Sequence, residues 1–475
     1  MSDTPLLEAD PPVHSGGARD LTQGPVVKTL IAFALPSLLV NVLQSVNGTI
    51  ASIFIGKMLG EAALAASANA NMIMFVVFAT VFGFAMAATI LVGHASGRRD
   101  MDEVRRITGA SVGLFLIAGL ILAALGWWGT PHLLRMLATP DQVIAPATAY
   151  MRMICLGLPI SLVNMLLPSL LRGIGDAVSP LRATALNVAI GTFSCPLLIH
   201  AMGIEGAGLA AMLANLASVS YQLANVYRRN LAMALRGPDL HLLKPDWGHA
   251  RPLLSLGFPM GLSMIVMGVS QMGMIGLINR EGMNTVAAYG AIGQLWGFLQ
   301  MPAVAVGSAV SAMAAQNIGA GRWDRIDRTA LGGICINLVM TGSMVLLITL
   351  FQRPLLGLFL PAGSPAIEIG AHINTILGWT HVFLGVSTIV TSLVRSNGAM
   401  MWPLINLFVS AVLLRFSIGV LGHPYWGADA IWASFGAHAL VSTFWSLGYY
   451  RWGRWRGNNG LPGSGSTPAR ESGLS

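Results

Sequence analysis

The sequence predicts an all-α polytopic membrane protein, with twelve transmembrane helices in two six-helix lobes related by a pseudo-twofold axis along the membrane normal. Three observations lead there. Hydrophobic residues make up 54% of the chain and charged residues 10%, whereas a soluble domain carries about 25% charged. Apolar runs long enough to cross a bilayer, roughly 18 residues or more, recur from residue 29 to residue 450. One stretch is also written twice. Leu171–Leu181 (LRGIGDAVSPL) returns as Val394–Leu404 (VRSNGAMMWPL), so that Arg172, Gly175 and Pro180 meet Arg395, Gly398 and Pro403 at a constant offset of 223 residues. A fixed offset near half the chain length marks a duplicated unit.

In order along the chain, residues 1–28 read as a flexible cytoplasmic tail, with Pro11, Pro12, Gly16 and Gly17 and no apolar signal-peptide core. The first lobe, residues 29–226, holds spans at 29–56, 61–92, 107–128, 147–171, 181–201 and 205–226. Segment 227–251 is polar, carries Pro238 and Pro245, and reads as a cytoplasmic connector. The second lobe, residues 252–450, holds spans at 252–279, 285–316, 329–351, 369–394, 402–421 and 428–450. The tail 451–475, rich in Gly and Ser, is expected to be disordered. A transmembrane barrel is excluded, because its strands are alternating segments of about ten residues.

The repeat reaches beyond the doubled stretch. Leu35-Pro36 matches Phe258-Pro259, and Gly97-Arg98 with Asp100 returns as Gly321-Arg322 with Asp324, at an offset of 224. Six spans per unit is an even number, so both halves enter the membrane the same way round. Of the 27 Lys and Arg, 21 fall on the side of the chain ends. This bias places both termini in the cytoplasm, and it explains the net charge of +8 without nucleic acid. Cys155, Cys195 and Cys335 lie in or beside apolar runs and imply no disulfide framework. Two parallel lobes leave a cleft, whose physical use is transport by rocking about a midplane site.

The first helix has a polar stripe: Ser37, Asn41, Gln44, Gly48 and Ser52 recur at helical spacing, with Asn47 at the margin. Such a stripe faces either a wet cavity or another helix. Adding the repeat offset of 223 to Ser37, Asn41, Gln44, Gly48 and Ala51 gives Met260, Met264, Met267, Gln271 and Met274. This wall is soft and polarisable, or consists of ordinary packing or lipid-facing methionines. The expected substrate pathway is therefore Ser37, Asn41, Gln44, Gly48, Met260, Met264, Met267, Gln271 and Met274. His381 and His438 lie at membrane depth, either as proton carriers or as neutral, hydrogen-bonded side chains. Arg415 is expected to snorkel or to pair with a backbone carbonyl, Asp176 to pair with Arg172 or Arg182, and Glu205 and Asp429 to be solvated. No metal-ligand cluster, HExxH, Gly-x-Ser-x-Gly or phosphate-binding Gly-Lys-Ser/Thr loop is present.

These residues together resemble the multidrug and toxic compound extrusion (MATE) family of secondary transporters. The carriers of the resemblance are the doubled cassettes Arg172-Gly173-Ile174-Gly175-Asp176 and Arg395-Ser396-Asn397-Gly398, the stretch Gly56 to Ala66 (GKMLGEAALAA), Pro36 and Pro259, and Gly206 to Ala210 (GAGLA). The resemblance covers about residues 28–450 and implies an inner-membrane antiporter. Such an antiporter expels amphiphilic organic compounds against a proton or sodium gradient, needs no other cofactor, and works as a monomer. The chain departs from the family at four positions where carboxylates are often found: Ala51, Cys195, Met267 and Leu384. With no acid in the cleft, neutral, zwitterionic or weakly cationic amphiphiles are expected over multiply charged cations. A flippase for a lipid-linked precursor would concentrate basic residues in the cavity, and a lipid-modifying membrane enzyme would cluster His or acids at one face. The sequence shows neither pattern.

Overall fold

The computed structural model of the chain describes residues 19–136, 141–361 and 363–457. Residues 1–18 and 458–475, most of the two expected tails, lie outside the described residues. The first half contains α1 (Val26–Leu59), α2 (Glu61–Gly97), α3 (Met101–Met136), α4 (Asp141–Gly173), α5 (Val178–Met202) and α6 (Ile204–Arg228). The second contains α7 (Trp247–Ile278), α8 (Met283–Gly319), α9 (Asp324–Leu350), the short α10 (Gln352–Leu356), α11 (Pro365–Leu377) and α12 (Thr380–Ser396). It ends with α13 (Met401–Leu407), α14 (Arg415–Trp426) and α15 (Ala428–Trp452).

Among the described residues ten helical spans are long and apolar enough to cross a membrane; α13 and α14 count as one of them, joined by a π-helical stretch at Phe408–Leu414. An eleventh is the pair α11 and α12, bent by 46°. The expected tenth span is thus broken, because Gly378 and Trp379 interrupt it. The twelfth, α15, is long enough at 25 residues but less apolar. Its polar residues Ser434, His438, Ser442, Thr443 and Ser446 are all buried, so they face protein rather than lipid.

The cores show how the two halves meet. Leu30, Phe33 and Ala34 of α1 pack into a cluster made largely by α8, α9 and α12. Their repeat partners Leu253 and Leu256 of α7 pack, with Met260, into the α2–α4 core. Each lobe therefore lends the first turns of its leading helix to the other, as a pseudo-twofold axis requires. On the opposite side of the bilayer the clusters separate. One is drawn only from α1 to α6, and the other only from α7 to α15. The lobes are fused near the chain ends and part towards the other face.

Glycines permit that fusion. A Cβ on Gly83 of α2 would strike the backbone of Gly257 and Gly261 of α7. In α2 every residue from Ala87 to Ala95 is buried, and in α8 every residue from Ala309 to Ile318. Helices buried on all sides are central ones.

Three polar segments are more ordered than the sequence suggests. The end of the N-terminal tail wedges Leu21, fully buried, into the seam. The connector packs Leu231 and Met233 against the first lobe and lays Leu242 and Leu243 on Gly109 and Gly113 of α3. The start of the C-terminal tail, expected to be disordered, buries Trp455 completely. The Trp455 indole donates to the Tyr450 carbonyl at 2.8 Å. Apolar side chains override the polar composition around them.

Candidate functional site

The doubled cassettes build the closed end of the seam. In each, a helix stops at a glycine with positive φ, Gly175 at +92° and Gly398 at +82°, a conformation that glycine adopts without strain. Pro180 and Pro403 then sit in the first turns of α5 and α13, where a missing N–H costs nothing. The exposed carbonyls are used across the seam. Gln316 Nε2 of α8 donates to Gly173 O at 2.8 Å, and Gln316 Oε1 accepts from the Leu21 amide at 3.0 Å. Asn317 Nδ2 donates to Leu21 O at 3.2 Å. In the second copy, His94 Nε2 of α2 lies 2.7 Å from Ser396 O.

The charged cassette members look inward. Arg172 donates to Ser169 Oγ at 3.0 Å and Arg395 to Ser263 Oγ at 3.3 Å. Asp176 does not pair with Arg172 or Arg182. Its Oδ1 accepts from the amides of Val178 and Ser179, and its Oδ2 from Arg229 at 2.8 Å. The acid caps the start of α5 and ties α6 to it. Of the two acids expected to be solvated, Asp429 Oδ1 lies 3.3 Å from His372 Nε2, with both side chains exposed.

The residues of the expected pathway differ in exposure. Asn41 is half-buried, and Gln44 and Gly48 are exposed. Neither Asn41 nor Gln44 has a hydrogen-bond partner among the described residues. Ser37 is buried, and its hydroxyl donates back to Phe33 O at 3.1 Å. Met264 and Met267 are 36% and 42% exposed, whereas Met260 and Met274 are buried in packing. Helix α7 crosses from the fused half to the open half, so one face of it changes environment along its length. In this state the ends of the methionine stripe are core.

The first lobe holds a cavity of about 140 Å³ between α1, α5 and α6, lined by Asn47, Ala51, Asn187, Cys195 and Asn215 among others. It is large enough for several waters. Its polar groups are amides in a chain: Asn47 donates to Asn187 at 3.5 Å, Asn187 and Asn164 both donate to Asn215 Oδ1, and Asn215 donates to Ser161 Oγ. Ala51 and Cys195 are two of the positions where the resemblance leads to carboxylates. The sequence reading missed this network, although Asn215 and Gln222, which donates to Asn164 Oδ1 at 3.3 Å, stand seven residues apart on one face of α6.

The second lobe has a different interior. Arg415 follows the π-helical stretch, in which the extra residue per turn re-aims whatever comes next; Ser270 Oγ of α7 donates to the Ala411 carbonyl there. Arg415 does not snorkel, and among the described residues it has no backbone partner. It is 2% exposed, its guanidinium carbon lies 3.5 Å from the centre of the Phe435 ring, and Nη2 donates to Gln271 Oε1 at 3.3 Å. Gln271 Nε2 in turn donates to Tyr289 Oη at 2.7 Å. Tyr289 stacks on Trp432 at 6.0 Å and meets Trp296 edge-on at 6.1 Å. His381 is buried with its ring 5.1 Å from Trp296. His438 is buried on α15, three residues beyond Phe435. The Nδ1 atoms of both histidines are buried without a partner. So the structure gathers Gln271, Arg415 and two histidines around one aromatic group, a constellation spread over α7, α8, α12, α14 and α15. No group of three metal-ligating side chains occurs among the described residues.

The MatE family profile matches residues 36–197 and 259–421, two segments that start 223 residues apart, as the cassettes do. Two relatives come from Bacillus subtilis (strain 168). The probable multidrug resistance protein YpnP is 30% identical over 441 residues, covering 92% of this chain and 98% of that protein. The probable multidrug resistance protein YoeA is 29% identical over 442 residues, covering 90% and 94%. The fold matches the structure of an outward-facing multidrug resistance MATE family transporter with a TM-score of 0.84 at 18% identity, over 92% of this chain and 97% of that one. With the duplicated profile, the fused seam and the split outer cores in agreement, the chain belongs to the MatE family, the multidrug and toxic compound extrusion transporters that its sequence resembles.

Proposed function

We propose that this protein is a secondary active antiporter that exports amphiphilic organic compounds in exchange for protons or sodium ions. It sits as a monomer in the inner (plasma) membrane with both termini in the cytoplasm. One observation carries the reading: the lobes share their cores at the face of the chain ends and have separate cores at the other. That is one end state of alternating access, and with cytoplasmic termini its cleft opens outward. The relatives named as multidrug resistance proteins support the export direction.

The wall chemistry supports neutral, zwitterionic or weakly cationic amphiphiles. Amides stand on one side, in Asn41 and Gln44, and flexible thioethers on the other, in Met264 and Met267. Among the described residues the only buried acid is Asp176, at the closed end. The wall helices α1 and α7 hold no acid, so a multiply charged cation finds no counter-charge on them. His381 and His438 are the titratable groups in the lobe interior that are suited to carry a coupled proton.

The test uses everted vesicles with an imposed proton or sodium gradient and a panel of fluorescent amphiphiles. Uptake of neutral and zwitterionic dyes driven by one gradient supports the proposal. A dication transported better than its neutral analogue refutes the substrate class. Proton coupling undiminished in His381→Ala removes that residue from the proton path.

A further inference from the structure

Arg415 presents a charge that the protein does not answer. Its one hydrogen bond among the described residues goes to a neutral amide, Gln271, and its Nε is buried with no partner. The nearest compensation is the face of Phe435. An unpaired charge at membrane depth is costly and is kept where it has work to do. A guanidinium offers five donors in a fork shaped for an oxyacid.

The surroundings show what else would fit. Gln271, half-buried, bridges Arg415 to Tyr289, so on the α7 side a neutral amide is the group that an incoming oxyacid would displace. Beside Tyr289 on α8, Gly290, Gly293 and Gly297 each have open space where a side chain would stand. These glycines leave a face of α8 without side chains beside Tyr289, against which an apolar ring can lie.

We propose that Arg415 is an anion-recognition subsite. It receives the carboxylate, sulfonate or phosphate end of an aromatic amphiphile whose ring lies along the glycine floor of α8, with Gln271 as the group displaced. This rests on the reading that the cleft carries substrate, and it extends the substrate class from zwitterions to organic anions. The amide holds the guanidinium while the site is empty, and an oxyacid replaces one neutral hydrogen bond with a bidentate, charge-assisted pair. The aromatic residues discriminate little among ring systems, so the charge sets the orientation of the guest.

The test uses the full-length protein in lipid nanodiscs and two dyes on one scaffold: 8-anilinonaphthalene-1-sulfonate, and N-phenyl-1-naphthylamine, which lacks the sulfonate. In Arg415→Gln the sulfonate dye should bind about tenfold more weakly, the scale of a charge-assisted hydrogen bond, while the neutral dye changes by less than about twofold. Equal loss of both dyes, or no loss of the sulfonate dye, overturns the subsite. Gln271→Leu keeps the guanidinium and removes its competitor, so the preference for the sulfonate dye should rise; a preference unchanged or reduced overturns it as well. Binding needs no ion gradient. Discrimination between the dyes in nanodiscs, with neither dye moved by wild-type vesicles, would defeat the reading that the cleft carries such amphiphiles and leave the subsite standing.

Discussion

The most incisive perturbation of the seam is Gln316→Leu. Gln316 is 2% exposed and joins three segments: its own helix α8, the first cassette through Gly173 O, and the N-terminal strap through the Leu21 amide. Leucine fills a similar volume but answers neither group. Each buried polar atom left without a partner costs about 1–3 kcal/mol, so the pair costs about 2–6 kcal/mol in this state. Once the seam opens, both groups reach water and the penalty disappears. The substitution should therefore move the balance between closed and open seam by about 30- to 25,000-fold towards opening at the face of the chain ends.

The readout is alkylation of a cysteine at Ala177, which is 5% exposed in the seam cluster, in a background without Cys155, Cys195 and Cys335. Labelling by a membrane-impermeant maleimide added at that face should be slow in the parent and at least about tenfold faster with Gln316→Leu, given that shift. A folded variant whose labelling rate does not change would show that these bonds do not hold the seam, and the two-state reasoning would fail with them.

Three further outcomes are expected. Gly83→Val places a branched side chain against the backbone of Gly257 and Gly261, so the α2–α7 crossing should be forced apart and transport lost, while the same cysteine becomes labelled; a fully active Gly83→Val protein would contradict the close approach. Replacing both Met264 and Met267 with Ala should narrow the range of exported dyes without abolishing efflux, because the cleft loses its adaptable surface; an unchanged spectrum would count against a methionine wall. Trp455→Ala removes a fully buried indole and should destabilise the protein by about 3–5 kcal/mol, seen as a lower midpoint of thermal unfolding in detergent; a midpoint equal to the parent would show that the packing of the C-terminal segment contributes nothing.

Much of this architecture was legible along the chain, and the reason is lipid. A bilayer forbids unpaired backbone groups in its core, so length and apolarity of a segment nearly suffice to name it a span. The cassettes were legible because Gly175 and Gly398 must take positive φ, and that requirement repeats with the fold. The polar stripe Asn41, Gln44 and Gly48 was legible from helical spacing alone. The least apolar span, α15, was still recognised by length, although its serines and His438 serve neighbouring helices.

The tertiary structure decided the rest. Local pattern gives a residue its face but not its depth or its partner from a distant helix. Leu21 and Trp455 look like tail residues and are core, because a groove lined by other helices receives them. Met260 and Met274 share a stripe with Met264 and Met267, yet only the middle pair is open, because Met260 packs into the fused seam and Met274 into the core of the second lobe. Asp176 was within sequence reach of Arg172 and Arg182 but bonds Arg229, which α6 brings back from 53 residues away. Arg415 reads as a snorkelling side chain until α7, α8 and α15 enclose it with Gln271, Tyr289 and Phe435. Composition and periodicity thus determined that this chain spans a membrane as a doubled helical bundle. Which polar groups meet inside it was set by long-range packing, since their partners lie on helices far apart in the chain.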